Sequence, residues 1–292
     1  MSTGPIYGES AEAYHASDAI GSHDLADLEP YPLYFFRKHV AKTIVDKTDS
    51  DALAFGRYFH SLALEGEEVT AAHYCEVPAD APSRPPEKYR TAKKPSDETN
   101  AAFAWWDAFD AANAGREVLP AATKSLAWRM VESIREKPGV RSLFAEGAPE
   151  VTFRHQMDKF KVQCRADWWN PNFNGLPVIV DVKTVGSMAD FDFHFDKFGY
   201  WRQAAFYMMV TEAVMAVEPQ QHQHLFVVVE KQEPFQTAVR AIDAASLQVG
   251  RQEVMRLLTK LRGCYESGVW PGEPDEIRPV SLPQRKLNNA LT

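Results

Sequence analysis

The 292-residue sequence has few cysteines, no long apolar run and no excess of positive charge. Its three cysteines, Cys75, Cys164 and Cys264, lie far apart and form no CxxC pair, so neither a zinc ribbon nor a disulfide framework is expected. No apolar stretch approaches the roughly 20 residues that cross a bilayer, and residues 1–10 lack the basic-then-apolar pattern of a signal peptide. We therefore expect a cytoplasmic protein with no membrane contact.

The charge balance is acidic. Lys and Arg number 32 and Asp and Glu number 40, which gives a net charge of −8. An acidic chain is in general a poor partner for nucleic acid. A metal site built from carboxylates would contribute part of that acid, however, and bound cations would offset it. The hydrophobic content of 45% and the seven tryptophans are sufficient for a sizeable core.

Helical patterns come first along the chain and strand patterns follow. Apolar residues at helical spacing dominate residues 14–147, whereas residues 148–267 contain short runs with β-strand composition. This order predicts one α/β or α+β domain, with a helical N-terminal part and a core of mixed central sheet, mostly antiparallel at its start, flanked by helices. A polar, mildly basic tail is expected over 278–292. The expected core elements are strands over 150–157, 160–169, 177–185, 224–230 and 235–242, and helices over 200–216 and from a cap at Asp243 to about 267.

One short apolar run contains two charges. Residues 176–185, Leu-Pro-Val-Ile-Val-Asp-Val-Lys-Thr-Val, have the composition of a buried strand that is interrupted by Asp181 and Lys183. Because side chains alternate along a strand, both charges leave the same face. Charges on a half-buried strand usually need a reason. The run indicates a metal-dependent phosphodiester-cleaving site, with Asp181 as a ligand and Lys183 beside the attacking water; a strand-end ion pair is the simpler alternative.

Turn positions predict which residues of the strands lie opposite each other. A two-residue turn at Asp158-Lys159 pairs residues whose numbers sum to 317, so Glu150 falls opposite Asp167. A turn cluster over 170–175 gives a sum of about 348 and sets Asp167 opposite Asp181. Opposed residues share a face, with Cβ atoms about 4.5–5.5 Å apart. The three acids therefore line up across three strands, and an error of one residue in either register would move one acid to the other face.

The aligned acids predict a site for a hard metal ion. Three like charges in a row destabilise a sheet unless a cation offsets them. Carboxylate oxygens at this spacing suit Mg²⁺, for which Mn²⁺ can substitute, rather than a soft metal. Such a site polarises the phosphate and lowers the pKa of a bound water. Lys183 could orient that water, act as its base if its pKa is depressed, or stabilise the pentacovalent charge.

A proline-rich basic stretch covers residues 78–97. It contains five prolines, and between residues 84 and 94 only Glu87 opposes five cations. Its length without apolar periodicity predicts a loop that is either functional or disordered. A mobile basic loop suits contacts with DNA phosphates, and a solubilising linker is the alternative. The five cations are Arg84, Lys88, Arg90, Lys93 and Lys94.

Several short motifs together resemble a known group of nucleases. Asp167 followed by Asp181-Val182-Lys183 matches the D-(x)n-(D/E)-x-K signature of the PD-(D/E)xK, or restriction-endonuclease-like, superfamily. Five motifs are more specific: Tyr14-His15, Gly56-Arg57-Tyr58-Phe59-His60, Cys164-Arg165-Ala166-Asp167, Asp181-Val182-Lys183-Thr184 and Gln203-Ala204-Ala205-Phe206-Tyr207. Over roughly residues 14–285 the sequence resembles the C-terminal nuclease domain of the exonuclease VIII family. The superfamily often has proline before the first aspartate, where this sequence has Ala166; that residue shapes only the backbone.

The resemblance implies roles for the residues of the strands. Glu150, Asp167 and Asp181 would hold the metal ions together with the backbone carbonyl of Val182. Lys183 would be the catalytic lysine.

It also implies roles for residues outside the strands. His60 would join the metal site, although a lone histidine among bulky apolar neighbours is more often a hydrogen-bonded core residue. Gln203 and Tyr207, at i and i+4, share a helix face and would position Lys183, the acids or the DNA, with simple helix packing as the alternative. Arg165, on the strand predicted over 160–169, is a further candidate for DNA contact in addition to the basic loop.

The function that the resemblance implies is DNA degradation. Exonuclease VIII digests linear duplex DNA from the 5′ end, requires Mg²⁺, assembles as a ring and serves phage and prophage recombination. A ring-shaped homo-oligomer with a basic channel would explain how an acidic chain holds double-stranded DNA ends. A single-strand annealing recombinase is a partner that such nucleases commonly use. Related branches carry a four-cysteine iron–sulfur cluster, which three scattered cysteines exclude.

Three other functions fit parts of the sequence. A structure-specific endonuclease on the same fold would use the same residues. A DNA-end-binding protein with a degenerate site is a second possibility, against which the intact Asp167, Asp181 and Lys183 argue. A metal-stabilised binding module would use His222-x-His224, two histidines that their glutamine-rich segment predicts to be solvated instead.

Overall fold

The computed structural model describes residues 4–44, 50–91 and 94–282, with helices first and the main sheet after them. The α-helices are α1 (Ala11–His15), α2 (Ser22–Ala26), α3 (Pro32–Phe35), α4 (Asp51–His60), α5 (Glu67–His73), α6 (Asp97–Ala112), α7 (Thr123–Arg135), α8 (Pro138–Arg141), α9 (Phe191–Lys197), α10 (Tyr200–Met215) and α11 (Ala244–Ser267). The strands are β1 (Tyr74–Glu76), β2 (Glu117–Leu119), β3 (Ala148–Met157), β4 (Phe160–Phe173), β5 (Leu176–Val185), β6 (Gln223–Glu230) and β7 (Thr237–Ala241). Single turns of π-helix cover Phe36–Val40 and Ser61–Glu65, and turns of 3₁₀-helix cover Glu87–Tyr89, Ser142–Phe144, Met188–Asp190 and Pro219–Gln221.

The central sheet has the strand order β3-β4-β5-β6-β7. The first three strands form an antiparallel meander, β6 runs parallel to β5, and β7 is antiparallel to β6. Because parallel neighbours need a crossover, the chain leaves β5 through α9 and α10 before it returns to β6. A separate two-stranded parallel sheet joins β1 and β2. The mixed sheet flanked by helices confirms the predicted fold class.

Helices cover both faces of the sheet, and β5 shows which face carries the predicted site. Val178, Val180 and Val182 are buried against α4 and α7. Ile179 is buried on the opposite face, against α10 and α11. Since strand residues alternate, Asp181 continues the row of Ile179 and faces α10.

The sheet opens where the two predicted aspartates meet. In the part of the chain that the structure describes, pairing between β4 and β5 ends at Trp168↔Val180. Beyond that pair β4 stays joined to β3 and β5 stays joined to β6, so the two strands diverge. Asp167 and Asp181 are the first residues inside this opening, which we call the β4–β5 fork. Backbone groups at such a fork must find partners other than a neighbouring strand.

Both predicted registers are confirmed. The β3–β4 ladder follows the predicted sum of 317, and the β4–β5 ladder follows the predicted sum of 348 up to Asn170. The predicted turn over 170–175 is wrong in extent, because β4 continues to Phe173. Asn174 and Gly175 alone make the turn, with φ of 54° and 87°. Both residue types tolerate the left-handed region, so two residues suffice to reverse the chain.

Two glycines permit close approaches that shape the core. Gly147, with φ of 108°, precedes β3, and a Cβ atom there would overlap the carbonyl oxygen of Trp169. In α11 a Cβ atom on Gly250 would lie 2.6 Å from the Cβ of Ala205 in α10. The first approach brings the start of β3 against β4, and the second packs α11 tightly on α10.

Two predictions about the organisation of the chain stay open. Of the tail predicted over 278–292, residues 283–292 lie outside the described residues. The division of the chain into a helical part and a core stays a prediction. Within the described ranges, none of the helices combines the length and the apolar character that crossing a bilayer requires.

Candidate active site

Asp181 and Lys183 form a buried charge pair on β5. The Lys183 Nζ atom lies 2.6 Å from Oδ2 of Asp181, and the side chains are 15% and 2% exposed. Despite that short distance, Oδ2 of Asp181 has no hydrogen bond of acceptable geometry. Burial alone would lower the pKa of Lys183, but the charges of Asp181 and Asp167 outweigh it and raise that pKa. The lysine therefore carries its proton in this arrangement.

The side chain of Asp167 accepts the backbone hydrogen bond that β5 cannot make to β4 at the β4–β5 fork. Its Oδ2 atom accepts a hydrogen bond of 2.7 Å from the backbone N–H of Val182 and lies 3.6 Å from Nδ1 of His60. Burial raises the pKa of Asp167; His60 opposes this shift and the charge of Asp181 adds to it. Because the N–H and C=O of a strand residue point to the same side, the Val182 carbonyl also faces the fork. The structure thus brings together His60, Asp167 and Val182, as the resemblance implies.

Glu150 occupies a strained position beside Asp167. The β3–β4 ladder passes from Pro149↔Trp168 to Val151↔Ala166 and skips the pair between them. Glu150 has φ of 53°, in the left-handed region that costs a non-glycine residue energy, and such strain clusters at functional sites.

The carboxylate of Glu150 shares the charge of the site. Its Oε2 atom lies 2.6 Å from Nε of Arg165, although that N–H does not meet the geometry of a hydrogen bond. Burial, with the charge of Asp167 added, raises the pKa of Glu150 to about 7 despite the nearby Arg165. Negative charge in the fork is therefore incompletely compensated by the chain itself.

These residues fit a hard divalent cation. No set of three His, Cys, Asp or Glu side chains in residues 4–44, 50–91 and 94–282 already stands in a metal-binding arrangement, because the acids contact Arg165, His60 and Lys183 instead. The donor set nevertheless consists of carboxylate oxygens, one of them without a hydrogen bond, together with raised carboxyl pKa values that a cation would reverse.

A chain of contacts links Lys183 to α10. Lys183 Nζ donates to Oε1 of Gln203 at 3.2 Å, and Nε2 of Gln203 donates to the Tyr207 hydroxyl at 3.4 Å. Lys183 Nζ also lies 4.6 Å from the ring centroid of Tyr200, as a cation over an aromatic face. Burial raises the pKa values of Tyr207 and Tyr200, so both keep their protons. Gln203 therefore contacts Lys183 directly and Tyr207 contacts Gln203, while the predicted positioning role of both residues stays a prediction.

Three further residues lie near this site that the sequence patterns did not assign to it. The stacking partner Tyr200 opens α10 and carries no motif of its own. Desolvation of the ring, together with the charge of Lys183, lowers the pKa of His23 in α2. The ring of His224 lies 6.2 Å from that of Tyr207, and both of its nitrogens lack a hydrogen-bond partner.

The expectation that His222 and His224 are solvated is wrong. Their exposed fractions are 3% and 2%, and burial lowers the pKa of each to about 4. His222 Nε2 lies 3.0 Å from the hydroxyl of Thr211, which joins the residue just before β6 to α10. The alternation of β6, in which His224 precedes Phe226 and Val228 on one face, could have indicated this burial.

The basic loop lies along α6. Arg84 pairs with Asp110 and stacks over Trp106, with its guanidinium carbon 4.3 Å from the ring centroid. Arg90 binds Asp107 through two hydrogen bonds of 2.9 and 2.8 Å. These contacts fasten the loop to the helix.

The other predicted DNA contacts have varied surroundings. Lys88 lies over its neighbour Tyr89, Lys94 is exposed, and Lys93 lies outside the described residues. Arg165 lies between Glu150 and the Tyr14 ring. Contact of the predicted cations with DNA stays a prediction.

The fold and the site together define a class. A mixed sheet covered by helices, with an acid on β4 and an Asp-x-Lys sequence on β5 at a fork, is the arrangement of the PD-(D/E)xK nucleases. The model of a family described as "PDDEXK-like domain of unknown function (DUF3799)" matches residues 37–281. The chain belongs to this family. The match confirms the predicted superfamily and supports a nuclease, and members of that superfamily generally use divalent metal ions.

Comparison with solved structures agrees with this fold. A candidate exonuclease from Eubacterium rectale has a TM-score of 0.60 and 12% sequence identity, over 97% of this chain and 98% of that chain. At this identity the likeness shows a shared fold. The structure of SSO0001 matches 46% of this chain and 66% of that chain, with 17% identity and a TM-score of 0.27. No curated protein sequence matches the chain significantly.

Proposed function

We propose that the protein is a Mg²⁺-dependent exodeoxyribonuclease that degrades linear double-stranded DNA in the 5′→3′ direction. One observation carries the proposal: Glu150, Asp167, Asp181 and Lys183 meet at the β4–β5 fork, with incompletely compensated negative charge and a lysine held beside it. The family match supports phosphodiester cleavage as the chemistry. The description of the Eubacterium rectale protein and the resemblance to exonuclease VIII support cleavage from DNA ends.

The chain's own residues suit this reaction. The three carboxylates and the Val182 carbonyl supply the hard oxygen atoms of the site. A bound Mg²⁺ supplies Lewis-acid polarisation of the phosphate and a lower pKa for a water molecule. Lys183, protonated and held by Gln203, places a positive charge where the phosphate gains negative charge during the reaction. Of the three roles considered for Lys183, this arrangement favours charge stabilisation over action as a base.

One experiment separates the enzymatic alternatives. The protein is incubated with Mg²⁺, or with Mn²⁺, and with either linear duplex DNA or a covalently closed circle of the same sequence. We expect loss of the linear form only, with a 5′-end label released before a 3′-end label. Cutting of the circle would instead establish an endonuclease. Binding of linear DNA without cleavage in either metal would establish an end-binding protein.

A variant tests the assignment of the site. Lys183→Ala should lower cleavage by at least about a thousandfold, because it removes the positive charge beside the reacting phosphate. Folding and DNA binding should remain, which circular dichroism and a gel-shift assay measure. The matched control is Lys159→Ala, on the exposed β3–β4 turn, which should retain full activity. Retained cleavage in Lys183→Ala would exclude this site.

The assembly and the biological partner belong to the same proposal. A ring of several copies would concentrate basic residues in a channel, which is how a chain of net charge −8 could hold duplex DNA. Sedimentation of the protein alone tests this part, and a monomer that degrades DNA processively would contradict it. Co-purification with a single-strand annealing recombinase would support a role in phage-type recombination.

A further inference from the structure

Helix α9 and the residue that follows it carry exposed aromatic rings beside the candidate active site. Phe193 and Phe198 are 61% and 52% exposed. Phe191 of the same helix is buried and packs against Phe226, with 5.7 Å between ring centroids. Phe195 also packs against Phe226, with 5.8 Å between ring centroids. Two aromatic side chains therefore anchor the helix, while Phe193 and Phe198 remain in solvent, where they forgo the favourable free energy of burial.

A cation and an imidazole complete this surface. Lys197 Nζ lies 5.3 Å from the ring centroids of both Phe193 and Phe198. The His194 ring is 4.9 Å from that of Phe198. These four residues, Phe193, His194, Lys197 and Phe198, form what we call the α9 aromatic surface. Exposed rings beside a cation suit a ligand that has both a flat π-system and negative charge.

The α9 aromatic surface is continuous with the catalytic residues. The Phe198 ring lies 5.8 Å from the ring of Tyr200, and Tyr200 in turn lies 4.6 Å from Nζ of Lys183. These two contacts connect the surface to Nζ of Lys183, beside which the phosphodiester would be cut. Since neighbouring bases of a strand rise by about 3.4 Å, the surface is within reach of the nucleotides next to the cleaved bond.

We propose that the α9 aromatic surface stacks on a nucleobase of the DNA strand being cut, next to the scissile phosphodiester. This inference rests on the proposed nuclease function and describes how the candidate active site binds its substrate. Stacking on aromatic rings is tolerant of sequence, because every base has a π-face. A contact of this kind suits an enzyme that removes successive nucleotides of any sequence.

The charges of α9 determine the side on which the strand's backbone passes. Asp192 and Asp196, at i and i+4, form an exposed acidic row next to the row of Phe193 and Lys197. The acidic row repels phosphates, whereas Lys197 attracts them. The base therefore lies on the rings with its phosphate on the lysine side.

The contact is tested by combining a substitution at Phe198 with the removal of a base from the DNA. Binding is measured in the Lys183→Ala background, so that cleavage does not intervene, with duplex DNA ends that are either intact or abasic at a nucleotide next to the scissile bond. We expect the abasic change to weaken binding about tenfold when Phe198 is present. Phe198→Ala should weaken binding of intact DNA by the same factor and remove the effect of the abasic change. Phe198→Trp should restore both.

The matched control is Tyr265→Ala, which removes a ring of similar exposure at the far end of α11. It should leave both binding constants unchanged. An abasic effect that persists undiminished in Phe198→Ala would overturn the inference. So would a change of oligomeric state in Phe198→Ala without a change in DNA binding, because the surface would then join copies of the chain. Failure of the proposed function is a different result: the protein with Lys183 present would cleave no DNA at all in Mg²⁺ or Mn²⁺.

Discussion

Removal of the Glu150 charge should stabilise the metal-free protein above neutral pH. Burial, with the charge of Asp167 added, raises the pKa of Glu150 from its ordinary value of 4.5 to about 7, and its side chain is only 26% exposed. Between these two pH values the folded protein retains a proton that the unfolded chain releases. The contribution of Glu150 to stability is therefore fully present below pH 4.5, falls as pH rises from 4.5, and is lost once pH has passed about 7. Glu150→Gln mimics the protonated side chain and escapes this loss.

The size of the effect follows from the pKa change. A displacement from 4.5 to about 7, at 1.36 kcal/mol for each tenfold change in the proton equilibrium, corresponds to about 3 kcal/mol. We expect the free energies of unfolding of the wild type and of Glu150→Gln to agree near pH 4. The gap should open between pH 4.5 and 7 and then stay constant, with the variant more stable.

Urea denaturation in EDTA across this pH range measures the gap. Glu132→Gln, at an exposed position of α7, serves as the control and should show no gap that varies with pH. Parallel curves for the wild type and Glu150→Gln at all pH values would refute the electrostatic reasoning.

Addition of Mg²⁺ should reverse the order of stability. The cation binds the folded state and stabilises it by an amount set by its concentration relative to its dissociation constant. The wild type should gain more than Glu150→Gln, because glutamine offers no charge to the metal ion. An equal gain in both proteins would show that Glu150 is not a metal ligand.

Three other predictions concern the supports of the site. Gln203→Leu should lower kcat by about 10–100-fold with KM nearly unchanged, because Lys183 loses the acceptor that holds it; a change in KM alone would contradict this. His224→Leu should reduce, by up to about 3 kcal/mol, the loss in free energy of unfolding that occurs as pH falls from 6.5 to 4. A histidine whose pKa is lowered from 6.5 to about 4 stabilises the fold above pH 6.5, and that contribution is lost as pH falls through 4. Urea titrations of the variant that match those of the wild type would refute it. Gly147→Ala should cost at least about 2 kcal/mol more than Gly115→Ala in the same titrations, because an added Cβ would meet the backbone at Gly147 and open space at Gly115; equal costs would contradict it.

Local chemistry explains why the core strands were predictable. An apolar, β-branched composition marks β5, and the two-residue turns at Asp158-Lys159 and Asn174-Gly175 set the registers that align Glu150, Asp167 and Asp181. A tight turn fixes which residues of its two flanking strands pair, so this register depends only on residues that are close in sequence. The same locality made Gln203 and Tyr207 recognisable as one helix face.

Distant contacts account for what the sequence patterns missed. His224 begins an apolar strand, but only packing of α10 over β6 shows that its ring is buried without a partner. Arg84 and Arg90 stand in a basic run, yet α6 offers them acids and aromatic rings that are about twenty residues away in sequence. No period or spacing encodes such pairs.

The amino-acid sequence by itself determined the α/β class, the registers of the first three core strands and the row of acids. The reason is that side-chain alternation and turn chemistry act over a few neighbouring residues. Tertiary structure alone decided that β4 and β5 part at Asp167, that His60 reaches it from α4, and which cation meets each acid. Those features depend on how β3 and β6 hold the two strands apart and on which helices cover them. The charge balance of the site is therefore a property of the assembled fold, although each of its charged residues could be singled out in the sequence.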